Sequence, residues 1–407
     1  MTDRILIAGA GIGGLSTALA LAAKGIRSHI IDRAPAILEI GAGLQIGPNA
    51  FRAFAQFGVA VAMDEISFAP KAISLLDSVT GVELSRQTLG APFEARFGHP
   101  YRVAFRADVQ QVLLRAVQIR ADLISLQLGD GLESFFQDTK SVTVMLDSGM
   151  RLEGAALVGA DGIWSRVRSK ILKAESPRNS GHVAYRAVLP VSQVPPELLT
   201  DNVQIWVGPG HHLVCYKLRR GELFNIVAMF ESPRVTEGWN ALGDAQELQR
   251  GFSGANHAVM QLLEQIHEWR TWVLCDRDPA PGWSEGRVTL LGDAAHPMLP
   301  YLAQGACMAI EDAARLANEI ADSRDDIAGA LQRYEAARYA RATSVQLAAR
   351  RTGELNHARG AARDARNRAL ARRKADDYDA VSWLFGSDGP QPEHLGRTDF
   401  SIFGSAR

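Results

Sequence analysis

The chain has 407 residues, 47% of them hydrophobic and 22% charged, and a net charge of −1. That is roughly two or three domains' worth of core, with no bulk charge to draw it to nucleic acid or to an acidic membrane. Cys215, Cys275 and Cys307 lie far apart with no CxxC pair, which argues against a disulfide framework or a zinc ribbon and fits a reducing compartment, the cytoplasm.

The uncharged run 5–23 follows Arg4, and hydropathy alone would pass it as a signal peptide or membrane anchor. Its glycines give a different reading. Residues 4–8 form a short apolar strand, Gly9-Ala10-Gly11-Ile12-Gly13-Gly14 a turn, and 15–23 a helix rich in Ala and Leu that Gly25 ends. A second strand at 28–31 closes with Asp32. This is the outline of a dinucleotide-binding βαβ unit. Gly9 permits the tight turn, Gly11 lets the backbone approach a pyrophosphate, Gly14 allows close helix-to-strand packing, and Asp32 accepts from a ribose hydroxyl.

Residues 40–50 are expected to be a glycine-rich loop leading into a helix at 51–57. Residues 101–119 open with Arg102 and Arg106 and continue as a helix with Val109, Leu113, Leu114 and Val117 on its apolar face. Arg106 either reaches the phosphates or sugar chain of a cofactor or pairs with Asp108 at the surface. Strand-like runs follow at 123–128, 141–146 and 155–159, the last ending in Ala160-Asp161-Gly162 before a helix that starts near Ser165. Ligands of such folds bind at strand C-terminal ends, so Asp161 is a second polar group near the same crevice. Residues 183–191, 203–207, 213–218 and 223–231 read as strands of a different, mostly antiparallel sheet, with turn signals at Gly208-Pro209-Gly210 and Gly221-Glu222.

In the stretch 288–313, a buried strand is broken by Gly292-Asp293, and Pro297 and Pro300 keep the following loop extended. A helix begins after Gln304-Gly305 and carries the acidic pair Glu311-Asp312. Its start aims unpaired N–H groups and a positive dipole end at whatever lies before it. Residues 325–373 are Ala/Arg-rich and expected to be helical, and the basic run 363–374, balanced by Asp376, Asp377 and Asp379, reads as a solvated helix face.

GAGIGG from Gly9, GADGIWSRVR at 159–168 and LLGDAAHPMLPYLAQGACMAIEDA at 290–313 together resemble the single-component FAD-dependent aromatic hydroxylases. The resemblance covers nearly the whole chain, and the salicylate, 3-hydroxybenzoate and 6-hydroxynicotinate hydroxylases look most similar. With the pattern above it implies an α/β chain: a Rossmann-like FAD-binding domain, a mostly antiparallel β-sheet substrate domain and a C-terminal helical segment. The FAD domain is expected at 1–175, with room for an excursion to the substrate domain near 70–100. The substrate domain follows at 176–275, the returning FAD segment at 276–325 and the helical region at 326–407.

The resemblance also implies FAD as cofactor and NADH or NADPH as the co-substrate that reduces it. O2 then adds at flavin C4a, and the hydroperoxide hydroxylates an electron-rich ring. No second GxGxxG is evident, in keeping with a nicotinamide that docks transiently. By position, Gly9, Gly11, Ile12, Gly13 and Gly14 would hold the pyrophosphate, Asp32 and Arg33 the adenosine end, and Arg106 the FAD chain. Asp161 would serve FAD and nicotinamide nucleotide, and Asp293 the ribityl or ribose hydroxyls. Pro297 would sit beside the isoalloxazine near the point of oxygen addition, and the backbone of Gly305 and Ala306 would face N1 and O2.

Ring attack is easier on a phenolate than on a phenol, so a general base helps. His212 and Tyr216 are the candidates, because their even spacing on a strand lets both face one way. A His…Tyr pair at this spacing also resembles the 3-hydroxybenzoate and 6-hydroxynicotinate members. Neighbouring His211 leaves the phase open, and His212 then reads as a core or surface histidine. His296 is expected to support its loop, and Tyr301 to border the ring pocket. Pro300 stands where the 3-hydroxybenzoate members carry glutamine, which turns the expectation toward salicylate-like or heteroaromatic acids. Arg186 either meets the substrate carboxylate or makes a structural salt bridge.

The expected activity is therefore hydroxylation of a hydroxy-aromatic carboxylate, salicylate hydroxylase-like, with 3-hydroxybenzoate 6-hydroxylase or 6-hydroxynicotinate 3-monooxygenase as alternatives. An FAD-binding oxidase or reductase, or a non-catalytic flavin-binding protein, is the rival of another class, and the lack of a WxWxIP motif counts against a halogenase. The expected partners are a small aromatic acid, O2 and NAD(P)H, with no nucleic acid, no metal and no stable membrane association, in a monomer or homodimer.

Overall fold

A computed structural model describes residues 3–37, 41–173, 176–233 and 241–386. Residue 40 of the expected loop and residues 387–407 of the expected helical region lie outside the described residues.

The described chain is a mixed α/β protein built on two large sheets. The first has six strands in the order Ser284–Glu285, Val288–Leu290, Ala156–Gly159, Ile5–Ala8, Ser28–Asp32, Ile124–Leu128. Its pairings are parallel except at the Ser284–Glu285 edge. Ile5–Ala8 is buried throughout because both faces of the sheet are covered. Ile5 and Ile7 pack under the helices Ile12–Ala23 and Gly305–Asp322. Leu6 and Ala8 face the other way, onto Phe135, Val142, Val144 and Leu146 of a three-stranded antiparallel sheet formed by Leu132–Gln137, Val142–Leu146 and Arg151–Gly154. The period of two along one strand thus serves two different cores.

The second sheet has eight strands, ordered Ala241–Leu242, Arg270–Asp276, Arg178–Pro190, Leu223–Glu231, His211–Leu218, Val203–Gly208, Ala72–Asp77, Glu83–Thr88. It is mixed: Val203–Gly208 pairs parallel with Ala72–Asp77, and the remaining neighbours pair antiparallel.

Two segments depart from the sequence reading. The expected loop contains the strand Gly43–Ile46, and its helix starts at Pro48 and runs to Phe57. Proline suits that first helical position, where its missing N–H would have no partner. The expected helix 101–119 divides into a strand, Arg102–Phe105, and the helix Arg106–Ile119. Each strand is short and finds its partner in the other, so neither shows a pattern on its own.

The C-terminal part is helical: Ile327–Asn356, Gly360–Ala371 and Asp379–Phe385. The basic run is not simply a solvated face. Arg366 is buried, and Arg363 makes bonds of 2.7 and 3.1 Å to the buried carboxylate of Asp77. No described helix is long and apolar enough to cross a membrane.

Candidate active site

Loops that follow four strands of the parallel sheet gather at one edge: residues 9–14, 32–33, 160–163 and 292–293. Gly9 has φ +109°, and a Cβ there would stand 2.3 Å from the Ala160 carbonyl oxygen. At Gly14 a Cβ would stand 1.9 Å from the Gly9 carbonyl oxygen. At Gly13 it would press on the Leu291 side chain at 2.9 Å. Gly11 differs: nothing lies within 4 Å of its Cβ position, and it lines a cavity. Gly9 and Gly14 therefore shape the turn, while Gly11 leaves room for a ligand. It does so at the N-cap of Ile12–Ala23, where no side chain satisfies the first N–H groups. Phosphate oxygens are suited to that position. Ile12 lines the same cavity. Asp32 accepts from Ala10 N at 2.6 Å and from Ala34 N at 2.8 Å, which fixes its carboxylate at the strand end, and Arg33 beside it is exposed.

Asp161 accepts from the N–H groups of Arg166 (2.8 Å) and Val167 (3.2 Å), while its Oδ1 is buried without a partner. Burial pushes its carboxyl above the ordinary range despite those bonds. Ala160, Gly162, Ile163 and Trp164 line the cavity around it. Asp293 opens onto the cavity although protein crowds it on every other side. That crowding raises its carboxyl pKa, against the pull of His296 and Arg106. Arg106 lines the cavity, and Asp108 is engaged elsewhere, by Arg219 through two bonds of 2.8 Å. Pairing with Asp108, one of the two readings of Arg106, is thus not what the fold adopts. Gly305 and Ala306 line the cavity at the start of Gly305–Asp322, which has no side-chain cap. Pro297 lines it too, its carbonyl accepting from Gln346 Nε2 at 2.9 Å.

The cavity, about 500 Å³, runs from Gly11 to the second sheet. In register, Arg186, Val227 and Val214 form one row of that sheet's inner face. Val188, Asn225 and Tyr216 form the row on one side, and Ala184, Met229 and His212 the row on the other. Arg186, Val214, Tyr216, Val227 and Met229 line the cavity with Trp272 and Leu274. The Arg186 guanidinium lies 4.7 Å over the Trp272 ring. Burial, then Arg106 and Arg270, pushes its pKa down to about 10, so it stays a cation at neutral pH.

His212 shares the face of Tyr216 but is 1% exposed and, unlike its row neighbour Met229, is not part of the cavity lining. Its ring centroid lies 5.3 Å from that of Tyr301, and its Nδ1 is 2.7 Å from His357 Nε2. Leu299 and Pro300 line the cavity, whereas Tyr301 sits behind them with its hydroxyl 2.5 Å from His182 Nδ1.

Several residues of this site escaped the sequence reading. The acidic pair of Gly305–Asp322 is locked to the helix Ile327–Asn356. Arg338 reaches Glu311 at 2.7 Å and Asp312 at 2.6 Å, and Arg341 reaches Glu311 at 2.6 Å. His296 Nε2 lies 2.5 Å from Asp312 Oδ2 and so ties the loop that carries Pro297 to the same pair. The one signal that could have found Arg338 and Arg341 is their spacing, three apart on a helix beside small residues. Nothing in the sequence marks His357 or His182 as partners of His212 and Tyr301.

A model of the FAD binding domain family matches residues 2–349. The chain belongs to that family. The 3-hydroxybenzoate 6-hydroxylase 1 of Aquipseudomonas alcaligenes is 39% identical over 390 residues, covering 95% of this chain and 98% of the relative. Klebsiella pneumoniae HpxO, solved with FAD and uric acid, superposes with a TM-score of 0.82 at 26% identity, covering 96% of this chain and 97% of that one. A salicylate hydroxylase substrate complex superposes with a TM-score of 0.80 at 25% identity, covering 95% and 96%. This protein is an FAD-dependent aromatic-ring monooxygenase. The glycine turn, the open Gly11 position and the uncapped helix start at Gly305 fit FAD along the cavity.

Proposed function

We propose that, although Pro300 turned the sequence expectation toward salicylate-like acids, this hydroxylase acts on a monohydroxylated benzoate, taking 3-hydroxybenzoate, the substrate named for its 39%-identical relative, or a close analogue at the ring carbon para to the hydroxyl. One observation carries the reading: Arg186, a buried cation, shares the cavity's apolar wall with Val214, Val227 and Met229. A flat ring over Val214 and Val227 would set its carboxylate against Arg186. Its hydroxyl would lie between Tyr216 and His212, which are two residues to either side of Val214 on one face. FAD, when bound, supplies reduction by NAD(P)H and activation of O2. The chain's own share is to anchor the acid, accept the hydroxyl proton and exclude water.

Arg186 supplies charge-assisted binding to a planar carboxylate. His212 would take the hydroxyl proton and Tyr216 hold the oxygen, which raises electron density at the para carbon. Burial, then His182 and His211, holds the His212 pKa down to about 3, so the ring is neutral at physiological pH. Burial raises the Tyr216 hydroxyl above its ordinary pKa, so it acts as a neutral donor. Three free cysteines, two of them buried, support a cytoplasmic setting.

The test is a panel of 3-hydroxybenzoate, salicylate, 4-hydroxybenzoate and 6-hydroxynicotinate, scored by NADH and NADPH consumption and by product mass. Stoichiometric dihydroxybenzoate from 3-hydroxybenzoate is expected. Hydrogen peroxide alone with every acid would overturn the hydroxylase reading, and catechol from salicylate would move the substrate to the salicylate type. Arg186→Met is expected to raise KM for the acid about 100-fold, the loss of about 3 kcal/mol, and to leave FAD content unchanged.

A further inference from the structure

His357 immediately follows the helix Ile327–Asn356, and its Nε2 lies 2.7 Å from His212 Nδ1, 145 residues away in sequence. Both rings are buried, at 5% and 1% exposure. Their aromatic neighbours are each other, His182 and Tyr301, at centroid distances of 4.6 to 5.8 Å. The charged and titratable groups that face this cluster are His211 and Arg359 toward His357, Glu231 toward His182 and Asp276 toward Tyr301. Among the described residues no carboxylate hydrogen-bonds to either ring of the pair.

A hydrogen bond between two neutral imidazoles uses one proton, so one ring donates and the other accepts. If His357 donated, His212 would carry its only proton on Nε2 and could not act as a base. If His212 donates from Nδ1, its Nε2 is left unprotonated. We infer that His357 is the positioning residue for the general base of this hydroxylase: its Nε2 accepts from His212 Nδ1, which fixes His212 Nε2 as the proton acceptor for the substrate's ring hydroxyl. This rests on His212 being that base.

In the step itself the hydroxyl O–H bond breaks and an N–H bond forms at His212 Nε2. The electron pair stays on the oxygen as a phenolate, and no oxidant takes part. The His357 acceptor then stabilises the imidazolium through Nδ1–H, as an oriented partner does for a catalytic histidine. His357 Nδ1 is buried with no hydrogen-bond partner among the described protein groups. Burial and the neighbouring histidines hold both rings neutral in the resting enzyme, which keeps the acceptor nitrogen open.

The experiment uses the FAD-loaded enzyme with 3-hydroxybenzoate, or whichever acid of the panel is turned over. His357→Leu removes the acceptor. His357→Gln keeps one at the position of Nε2, and His357→Asn is one methylene too short. Two quantities are read: product formed per NADH consumed, and the phenol-to-phenolate titration of bound acid by ultraviolet difference absorbance. Leu and Asn are expected to lower product per NADH at least 10-fold and to move the bound acid's titration upward by about one pH unit, with Gln within about threefold of wild type on both. If Leu fails to retain FAD, the Gln and Asn pair decides.

Wild-type values in Leu or Asn would overturn the inference, and so would Gln being as impaired as Leu. His212→Ala with unchanged product per NADH would instead remove His212 as the base, a separate failure.

Discussion

At the residue scale, the glycines of the first turn do two different jobs, and a single methyl group tells them apart. Gly14→Ala forces a Cβ to 1.9 Å from a backbone oxygen, whereas Gly11→Ala meets no protein atom within 4 Å. Gly14→Ala should therefore destabilise the fold by about 2 kcal/mol or more. Gly11→Ala should leave the apoprotein's melting temperature unchanged and weaken FAD about 10-fold or more, the expected cost of a methyl group wedged against a pyrophosphate. Thermal melts of the apoproteins and FAD fluorescence titration separate the two, and equal effects in both assays would contradict the division. This motif was legible because it follows from backbone geometry, which leaves a direct mark on residue type. Asp293 was legible for a related reason, as an acidic residue at a strand end after a glycine. His212 was only half legible: its even spacing with Tyr216 was visible, but its burial and its bond to His357 come from another element.

At the element scale, the helix Ile327–Asn356 is where the sequence reading fell short. Its Ala/Arg composition announces a helix but hides which arginines are buried. Arg338 and Arg341 are 5% and 9% exposed, and they clamp Glu311 and Asp312. Burial opposes ionisation of Glu311, but Arg341 and Arg338 overcome it and lower its pKa from 4.5 to about 2. A displacement of that size corresponds to about 3 kcal/mol of folding stability. Asp312 is displaced in the same direction, with His296 and Arg338 overcoming burial. Because the folded pKa values are depressed, this contribution is full above the ordinary carboxylate range and is lost as pH falls from about 4.5 toward 2. Urea unfolding from pH 6 to pH 3 should show a steep acid loss of stability in the wild type and a shallower one in Glu311→Gln, which should also start about 3 kcal/mol less stable at pH 6. Parallel profiles would mean that the clamp carries no linkage.

At the scale of the whole molecule, the cavity draws on both sheets: Gly11, Gly292 and Asp293 belong to loops of the parallel one, Arg186, Val214 and Tyr216 to strands of the other. A cofactor lying along it would bridge the two. FAD at 100 times its Kd should add about 2.7 kcal/mol to stability, a rise of about 3 °C in melting temperature for a chain of this length. A calorimetric scan with and without FAD checks this, and a shift under 1 °C with bound flavin would mean that the apoprotein's cavity does not match FAD. The parallel sheet was legible from its apolar runs and glycine turns. The order of the second sheet was not, because its parallel pairing joins Ala72–Asp77 to Val203–Gly208 across more than a hundred residues, and no local pattern records such a partnership.

The 30 residues of Ile327–Asn356 also fix a length. From Arg341, which grips the cofactor-facing helix, to His357, which holds His212, the chain advances about 24 Å at 1.5 Å per residue. Between them Gln346 holds the Pro297 carbonyl, and the Tyr301 ring lies against Gly353. The helix is in effect a gauge bar, with its stops set by counting. A substitution along it changes one stop. A single-residue deletion between Arg341 and His357 would turn every later stop by about 100° and bring the two ends of the active site out of register while leaving the helix itself intact.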